Sequence, residues 1–209
     1  MTIETIIWDW NGTLLNDSHL SLSTINRLLK ERNLKTLSHE QYLEVFTFPV
    51  IDYYRTIGFD FEKEPFELPA NQYIDIYNNA VDNCGLHTGV IESLARFSSL
   101  GIRQFILSAM EQQQLNRTVM LNRIHHFFEA VAGLDNHYAV SKIEVGHKLI
   151  DSHNLNLSKT LLIGDTIHDF EVAQSLGCQC LLIANGHQSA KRLERTGAKV
   201  VKNLSEIVL

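Results

Sequence analysis

Residues 3–17 read Ile3-Glu-Thr-Ile-Ile-Trp-Asp-Trp-Asn-Gly-Thr-Leu-Leu-Asn-Asp17, and the reading of this stretch decides the fold. An apolar run of β character, Ile6-Ile7-Trp8, ends on Asp9, and a turn signal, Asn11-Gly12-Thr13, follows at once. Strands buried on both faces of a parallel sheet read as continuous apolar runs. Ligands of such sheets bind outside the carboxyl ends of the strands. Asp9 is therefore a carboxylate carried by a rigid strand to the edge where function is expected. Taken alone, it reads more readily as a cap or Asx-turn residue. The downstream pattern changes that balance.

The length of 209 residues suits one domain, or one domain with an insert, and 44% apolar residues can fill a sizeable core. A net charge of −6 without a basic stripe argues against a nucleic-acid partner. No run of about 18 apolar residues is present, so no membrane span is expected. Asp9 interrupts any charged-then-apolar leader pattern. Cys84, Cys178 and Cys180 are too few for a disulfide framework and fit a reducing, cytoplasmic setting. Cys178 and Cys180 lie two apart in a strand-like run and read as small buried hydrophobes. The ten histidines form no His-x-x-x-His pair with a third ligand nearby, so most are expected at the surface or in satisfied loops.

After Asp17 the period changes from strand to helix. Ser18 is a fair N-cap, and Leu22, Ile25, Leu28 and Leu29 recur at helical spacing. Ser38-His-Glu-Gln41 has capping-box spacing and opens a second helix. Pro49 suits the first turn of a third. Residues 60–69 read as an acidic loop, after which Pro69 starts a fourth helix with Tyr73, Ile76, Tyr77 and Ala80 inward. From residue 88 strands and helices alternate, with strands expected at 102–107, 129–132, 160–163 and 180–184. This alternation indicates βαβ units around a parallel sheet. The expected architecture is α/β: a Rossmann-like, three-layer α/β/α core of residues 1–16 and 85–209, interrupted by an all-helical cap at 17–84.

Three expected strands end in polar groups, Asp9, Ser108 and Asp165, and Lys142 opens a helix between the last two. Parallel strands would bring these groups to one edge. Two carboxylates there can hold a hard ion such as Mg²⁺, which binds through one or two carboxylates, waters and substrate phosphate. A hydroxyl and an ammonium beside them can hold a phosphate. Alone, Ser108 reads as a helix cap, Lys142 as a solvated lysine, and Asp165 and Asp169 as an acidic first turn. The four coincidences in this order carry the inference.

Asp9-Trp-Asn-Gly-Thr-Leu14, Ser108 after an apolar strand, Lys142, and Gly164-Asp-Thr-Ile-His-Asp169 resemble the four motifs of the haloacid dehalogenase superfamily of phosphohydrolases. The helical insert resembles that family's cap of the first type. Asn185-Gly186-His187 and the stretch from Thr196 to Glu206 are similar to the end of its phosphoglycolate-phosphatase-like branch. The resemblance implies that Asp9 attacks phosphorus and becomes an aspartyl phosphate. It implies Mg²⁺ held by Asp9, the Asn11 carbonyl and Asp165, with Asp169 as ligand or support. Thr13, Ser108 and Lys142 would grip the phosphoryl oxygens, with Lys148 a weaker alternative to Lys142. The substrate would be a small phosphate ester, with the cap residues Phe48, Tyr53, Tyr54 and Arg55 facing it; the pair Tyr53 and Tyr54 reads equally as cap packing.

The chain departs from that pattern at Asn11, where the family's phosphatases carry an Asp that protonates the leaving alkoxide and then activates water. An amide does neither, and general acid–base catalysis contributes roughly 10²–10⁴-fold. Asn16 also stands where many relatives have an acid. Asp17 and His168 are the candidate substitutes. Three functions follow: a Mg²⁺-dependent phosphatase, slow or restricted to good leaving groups; a non-hydrolytic phosphate-binding or regulatory protein; or another reaction on the scaffold, such as phosphoryl transfer. Phosphonate cleavage, which in the family uses a cap lysine, is disfavoured because residues 36–61 contain no lysine and Arg55 is their only permanent cation. Oligomeric state is not legible.

Overall fold

A computed structural model describes residues 2–135 and 141–208. Among these residues, six parallel strands form one sheet: β1 (Thr5–Trp8), β2 (Arg103–Glu111), β3 (Ala130–Leu134), β4 (Thr160–Gly164), β5 (Gln179–Ile183) and β6 (Lys199–Val201). Their order is β3-β2-β1-β4-β5-β6. The chain winds outward from β1 to one side, then returns and winds to the other. Position β1/β4 is thus the switch point, outside whose carboxyl ends a crevice opens.

Alternation along each strand makes two cores. Ile6, Trp8, Ile106, Leu161, Ile163 and Leu181 face α5 (Val90–Ser99), α6 (Gln112–Leu121) and the C-terminal Leu204 and Ile207. Ile7, Phe105, Leu107 and Leu162 face α7 (Lys142–His153) and α8 (Ile167–Leu176). This is the expected three-layer α/β/α arrangement. The three cysteines are free, and Cys178 and Cys180 pack with the second core.

Between β1 and α5 lie α1 (Ser18–Glu31), α2 (His39–Val45), α3 (Val50–Thr56) and α4 (Glu67–Asn78). They share a third core of Ile25, Leu28, Leu29, Tyr42, Tyr53 and Tyr54. α2 begins with the expected capping box, Ser38 accepting from the Gln41 amide and Gln41 returning the bond. The short α9 (Ala190–Leu193) follows β5, and its Arg192 donates to the carbonyls of Leu43 and Phe46. This ties the helical block to the sheet's carboxyl edge.

Several boundaries differ from the sequence reading, each for a local reason. β2 runs through Ser108 to Glu111, with a register shift between Leu107 and Glu111, so Ser108 lies inside a bulged strand end. α4 starts at Glu67, because Pro69 tolerates the first turn, where amides lack helical partners anyway. The apolar pattern suggests a helix from Phe170 to Leu176, but α8 starts at Ile167 because Thr166 and Asp169 form a capping box. The residue capping α1 is Asp17, not Ser18, and its side chain makes no cap bond. β6 is too short at Lys199–Val201 to show a period.

Candidate active site

The backbone amide of Asp9, immediately after β1, donates to the carbonyl of Ile163 on β4 at 2.8 Å. Asp165 immediately follows β4, so the parallel register sets the two carboxylates side by side. The Thr166–Asp169 capping box turns Asp169 to the same point. One carboxylate oxygen from each of Asp9, Asp165 and Asp169 lies within 4.8 Å of the others, and all three residues are buried.

Lys142, the first residue of α7, is buried at 4% exposure, unlike the exposed Lys148. Its ammonium donates to Asp9 Oδ1 at 2.5 Å and to Asp169 Oδ1 at 2.6 Å. The Thr13 hydroxyl donates to Asp165 Oδ1 at 2.9 Å and reaches Asp9 Oδ2 at 3.3 Å. The backbone amide of His187 donates to Asp165 Oδ2 at 2.6 Å. Close approach of backbone to carboxylate requires glycine at two places. At Gly12 (φ +74°) an added Cβ would lie 2.3 Å from Asp165 Oδ2, and at Gly186 it would lie 2.1 Å from the same atom.

Burial pushes the Asp9 carboxyl up to about 8, with the charges of Asp169 and Asp165 adding to it and Lys142 opposing. Burial likewise lifts Asp165 to about 6, against His187 and Thr13. Burial would lift Asp169 too, but Lys142 and Thr166 hold it below the ordinary carboxylate range. Three carboxyls share one ammonium, so full ionisation of the cluster calls for a further positive charge, and all the donors are hard oxygens. That set fits a divalent oxygen-seeking cation such as Mg²⁺.

Asn11 lies beside this cluster. Its amide donates to Asp17 Oδ2 at 3.1 Å and to the Tyr77 hydroxyl at 2.8 Å, while its Oδ1 accepts from Ser108 Oγ at 3.4 Å. Asp17 also accepts from Tyr77 at 2.5 Å and from the Gly12 amide at 2.7 Å. Burial alone would raise the Asp17 carboxyl, but His187, Tyr77 and Asn11 hold it low. His187 Nε2 lies 3.4 Å from Asp17 Oδ1, and its Nδ1 is hydrogen-bonded to the Tyr42 hydroxyl at 2.7 Å. Burial would lower the His187 pKa, yet Asp17, Asp165 and Asp9 raise it to about 9. His187 is a satisfied loop histidine, and it is buried as well, at 5% exposure between Asp17 and Tyr42. Its place just past the carboxyl end of β5, after Asn185-Gly186, is the signal that could have found it. Asn16 is exposed.

A cavity of about 420 Å³ opens from Asp9, Asn11, Ser108 and Lys142 into the helical block. Phe48, Tyr53 and Tyr54 line it, as expected, and His168 does so with its ring stacked on Phe48 at 4.7 Å. Tyr53 and Tyr54 also pack the block's core. Arg55 does not line the cavity: its guanidinium pairs with Asp52 at 2.8 Å and lies over the Phe61 ring, on the outer side of α3. Helical spacing turns it away from its lining neighbour Tyr54. Among the described residues no helix is long and apolar enough to cross a membrane.

Residues 6–183 match the family described as haloacid dehalogenase-like hydrolase. Among curated proteins, the chain is 24% identical over 190 residues to the pyrophosphatase PpaX of Oceanobacillus iheyensis, covering 88% of this chain and 85% of that one. The PpaX of Bacillus mycoides is 20% identical over 185 residues, with the same coverage. Among solved structures, a predicted phosphatase from Clostridium acetobutylicum superposes with a TM-score of 0.83 at 16% identity, over 99% of this chain and 96% of that one. CbbY from Rhodobacter sphaeroides, in complex with phosphate, superposes at 0.73 with 15% identity, over 98% and 96%.

Proposed function

The chain belongs to the haloacid dehalogenase-like hydrolases, and we propose that it is a Mg²⁺-dependent phosphohydrolase acting on a small phosphate monoester through a phosphoenzyme on Asp9. The convergence of Asp9, Asp165, Asp169 and Lys142, from three separated segments, at the switch point of the sheet is the observation that carries this reading. The names of its relatives, phosphatases and pyrophosphatases, support it.

Asp9 and Asp165, with the Asn11 carbonyl, would hold the metal, and Asp169 would ligate or support it. The metal's charge would neutralise nucleophile and phosphate so that two anions can meet. Asp9 Oδ attacks phosphorus, and the bond from phosphorus to the ester oxygen breaks, its electron pair leaving with the alcohol. Lys142, Ser108 and Thr13 steady the phosphoryl oxygens. Water then attacks the same phosphorus and releases Asp9. Residues 17–84 act as a cap that keeps bulk water from the first step.

Asn11 favours one second reading. Its amide is locked between Asp17, Tyr77 and Ser108 and offers no proton to a leaving group. A protein that binds phosphate without hydrolysing it would tolerate this. Turnover of 4-nitrophenyl phosphate with and without Mg²⁺ separates the two. The phosphatase reading expects Mg²⁺-dependent release that Asp9→Asn abolishes; phosphate binding without release supports the second.

A further inference from the structure

The cavity leading from Asp9 is lined by rings, with Phe46, Phe48, Tyr53, Phe66 and Tyr73 among them. Its volume of about 420 Å³ lies in the range of small-ligand pockets. Among the described residues Lys142 is the only lysine or arginine in its wall, and Lys142 is already engaged by Asp9 and Asp169. The one permanent cation of α3, Arg55, is outside and paired. His187 also lines the wall, but Asp17 holds it, so a carboxylate or second phosphate on the leaving group would enter this space with no free countercharge, which is strongly unfavourable. The leaving group that fits is uncharged and flat.

Two further observations narrow it. Tyr53 lines the cavity and is only 2% exposed, and its buried hydroxyl has no hydrogen-bond partner among the described residues. A buried polar group left unpaired is costly, so its absence of a partner points to a ligand that supplies one. Burial also pushes that hydroxyl well above its ordinary pKa, so it stays a donor. Independently, Asn11 supplies no proton, so the leaving oxygen must depart as an anion. A phenolate does this far more readily than an alkoxide.

Resting on the phosphohydrolase reading, we propose that the substrate is the phosphate monoester of a small uncharged phenol, its ring held among the cap aromatics and a ring hydroxyl or carbonyl accepting from Tyr53. In the first step the bond from Asp9 to phosphorus forms as the aryl-oxygen bond to phosphorus breaks. The electron pair leaves on the phenolate, which takes its proton from solvent. Water then displaces Asp9, and its proton passes to the phosphate released.

The test combines binding and turnover on the Mg²⁺-loaded enzyme. Phenylphosphonate, which has no ester bond to break, should bind more tightly than methylphosphonate by on the order of 10²-fold in calorimetry, the value of burying one ring. Hydroxyphenyl phosphates should exceed acetyl phosphate, phosphoglycolate and pyrophosphate in kcat/KM by a comparable factor. Acetyl phosphate has a good leaving group and no ring, so it separates ring recognition from leaving-group reactivity. Tyr53→Phe should remove the advantage of hydroxyphenyl over phenyl phosphate, roughly 3- to 10-fold. The proposal is overturned if phenylphosphonate binds no better than methylphosphonate, or if pyrophosphate or phosphoglycolate is preferred; the latter leaves the phosphohydrolase reading standing. Tight phenylphosphonate binding without turnover of any ester upholds the aromatic site and overturns the hydrolase reading instead.

Discussion

Replacing Asn11 with aspartate asks what the missing acid is worth and why it is missing. The substitution exchanges Nδ2 for an oxygen 3.1 Å from Asp17 Oδ2 and deletes two donated hydrogen bonds. Two ionised carboxylates at 3.1 Å repel by about 5 kcal/mol at an effective dielectric near 20. The new carboxyl therefore keeps its proton at neutral pH, because Asp17 is the one held ionised by His187 and Tyr77. A protonated acid beside Ser108 can protonate a leaving alkoxide. Alkyl phosphate turnover should rise in Asn11→Asp, up to the 10²–10⁴-fold that acid–base catalysis supplies. Nitrophenyl phosphate should gain less, since nitrophenolate departs without a proton. Asp17 competes for the new proton at the same short distance. The double variant Asn11→Asp with Asp17→Asn should then gain more on alkyl esters than the single one. The assay is steady-state kcat/KM over a series of leaving groups, read as the slope against leaving-group pKa. Unchanged alkyl rates in both variants would refute the reasoning and show that another residue already transfers the proton.

The remaining predictions concern the carboxylate cluster. Asp9 and His187 are both raised in the folded protein, to about 8 and about 9. Stability from Asp9 is complete below about 4 and lost as pH rises through about 8, and that from His187 is complete below about 6.5 and lost through about 9. The Tm of metal-free protein should fall between pH 5 and pH 9, and Mg²⁺ should restore more of it at pH 8 than at pH 5; a flat or rising profile contradicts the cluster's charge balance. Gly186→Ala places a methyl 2.1 Å from Asp165 Oδ2 and should lower activity on the order of 10²-fold, as a displacement near 1 Å does, with the circular dichroism unchanged. Lys142→Ala should weaken phosphate binding and destabilise the metal-free protein by about 3–5 kcal/mol, as stranding buried charges does. The exposed Lys148→Ala should stay within about 0.5 kcal/mol, and the opposite ranking would move the phosphate contact to Lys148.

What was legible in the chain followed from periodicity. Ile6-Ile7-Trp8 and Leu161-Leu162-Ile163 are apolar on both faces, so the sheet and its two polar termini, Asp9 and Asp165, could be read directly. Lys142 was readable only through order and spacing, since its burial depends on Asp9 and Asp169 far along the chain. The apolar run ends at Leu107 and puts Ser108 at a strand end, whereas pairing with β3 carries that strand on through a bulge. His187 carried no local sign of burial, because Tyr42 and Asp17, its partners, lie 145 and 170 residues earlier in the chain. The position of Arg55 is not legible, because charge alone does not say which side of a short helix faces the cavity, and Asp52 three residues before it holds it outside.

On the proposed mechanism Asp9 itself is phosphorylated during turnover. Rapid acid quench of the enzyme with Mg²⁺ and 4-nitrophenyl phosphate, followed by peptide mass spectrometry, tests it directly. One phosphoryl group should appear on the peptide carrying Asp9, persisting because no carboxylate at position 11 activates water, and vanish in Asp9→Asn or without Mg²⁺. Turnover with no label on Asp9, or label on Ser108 instead, would contradict it.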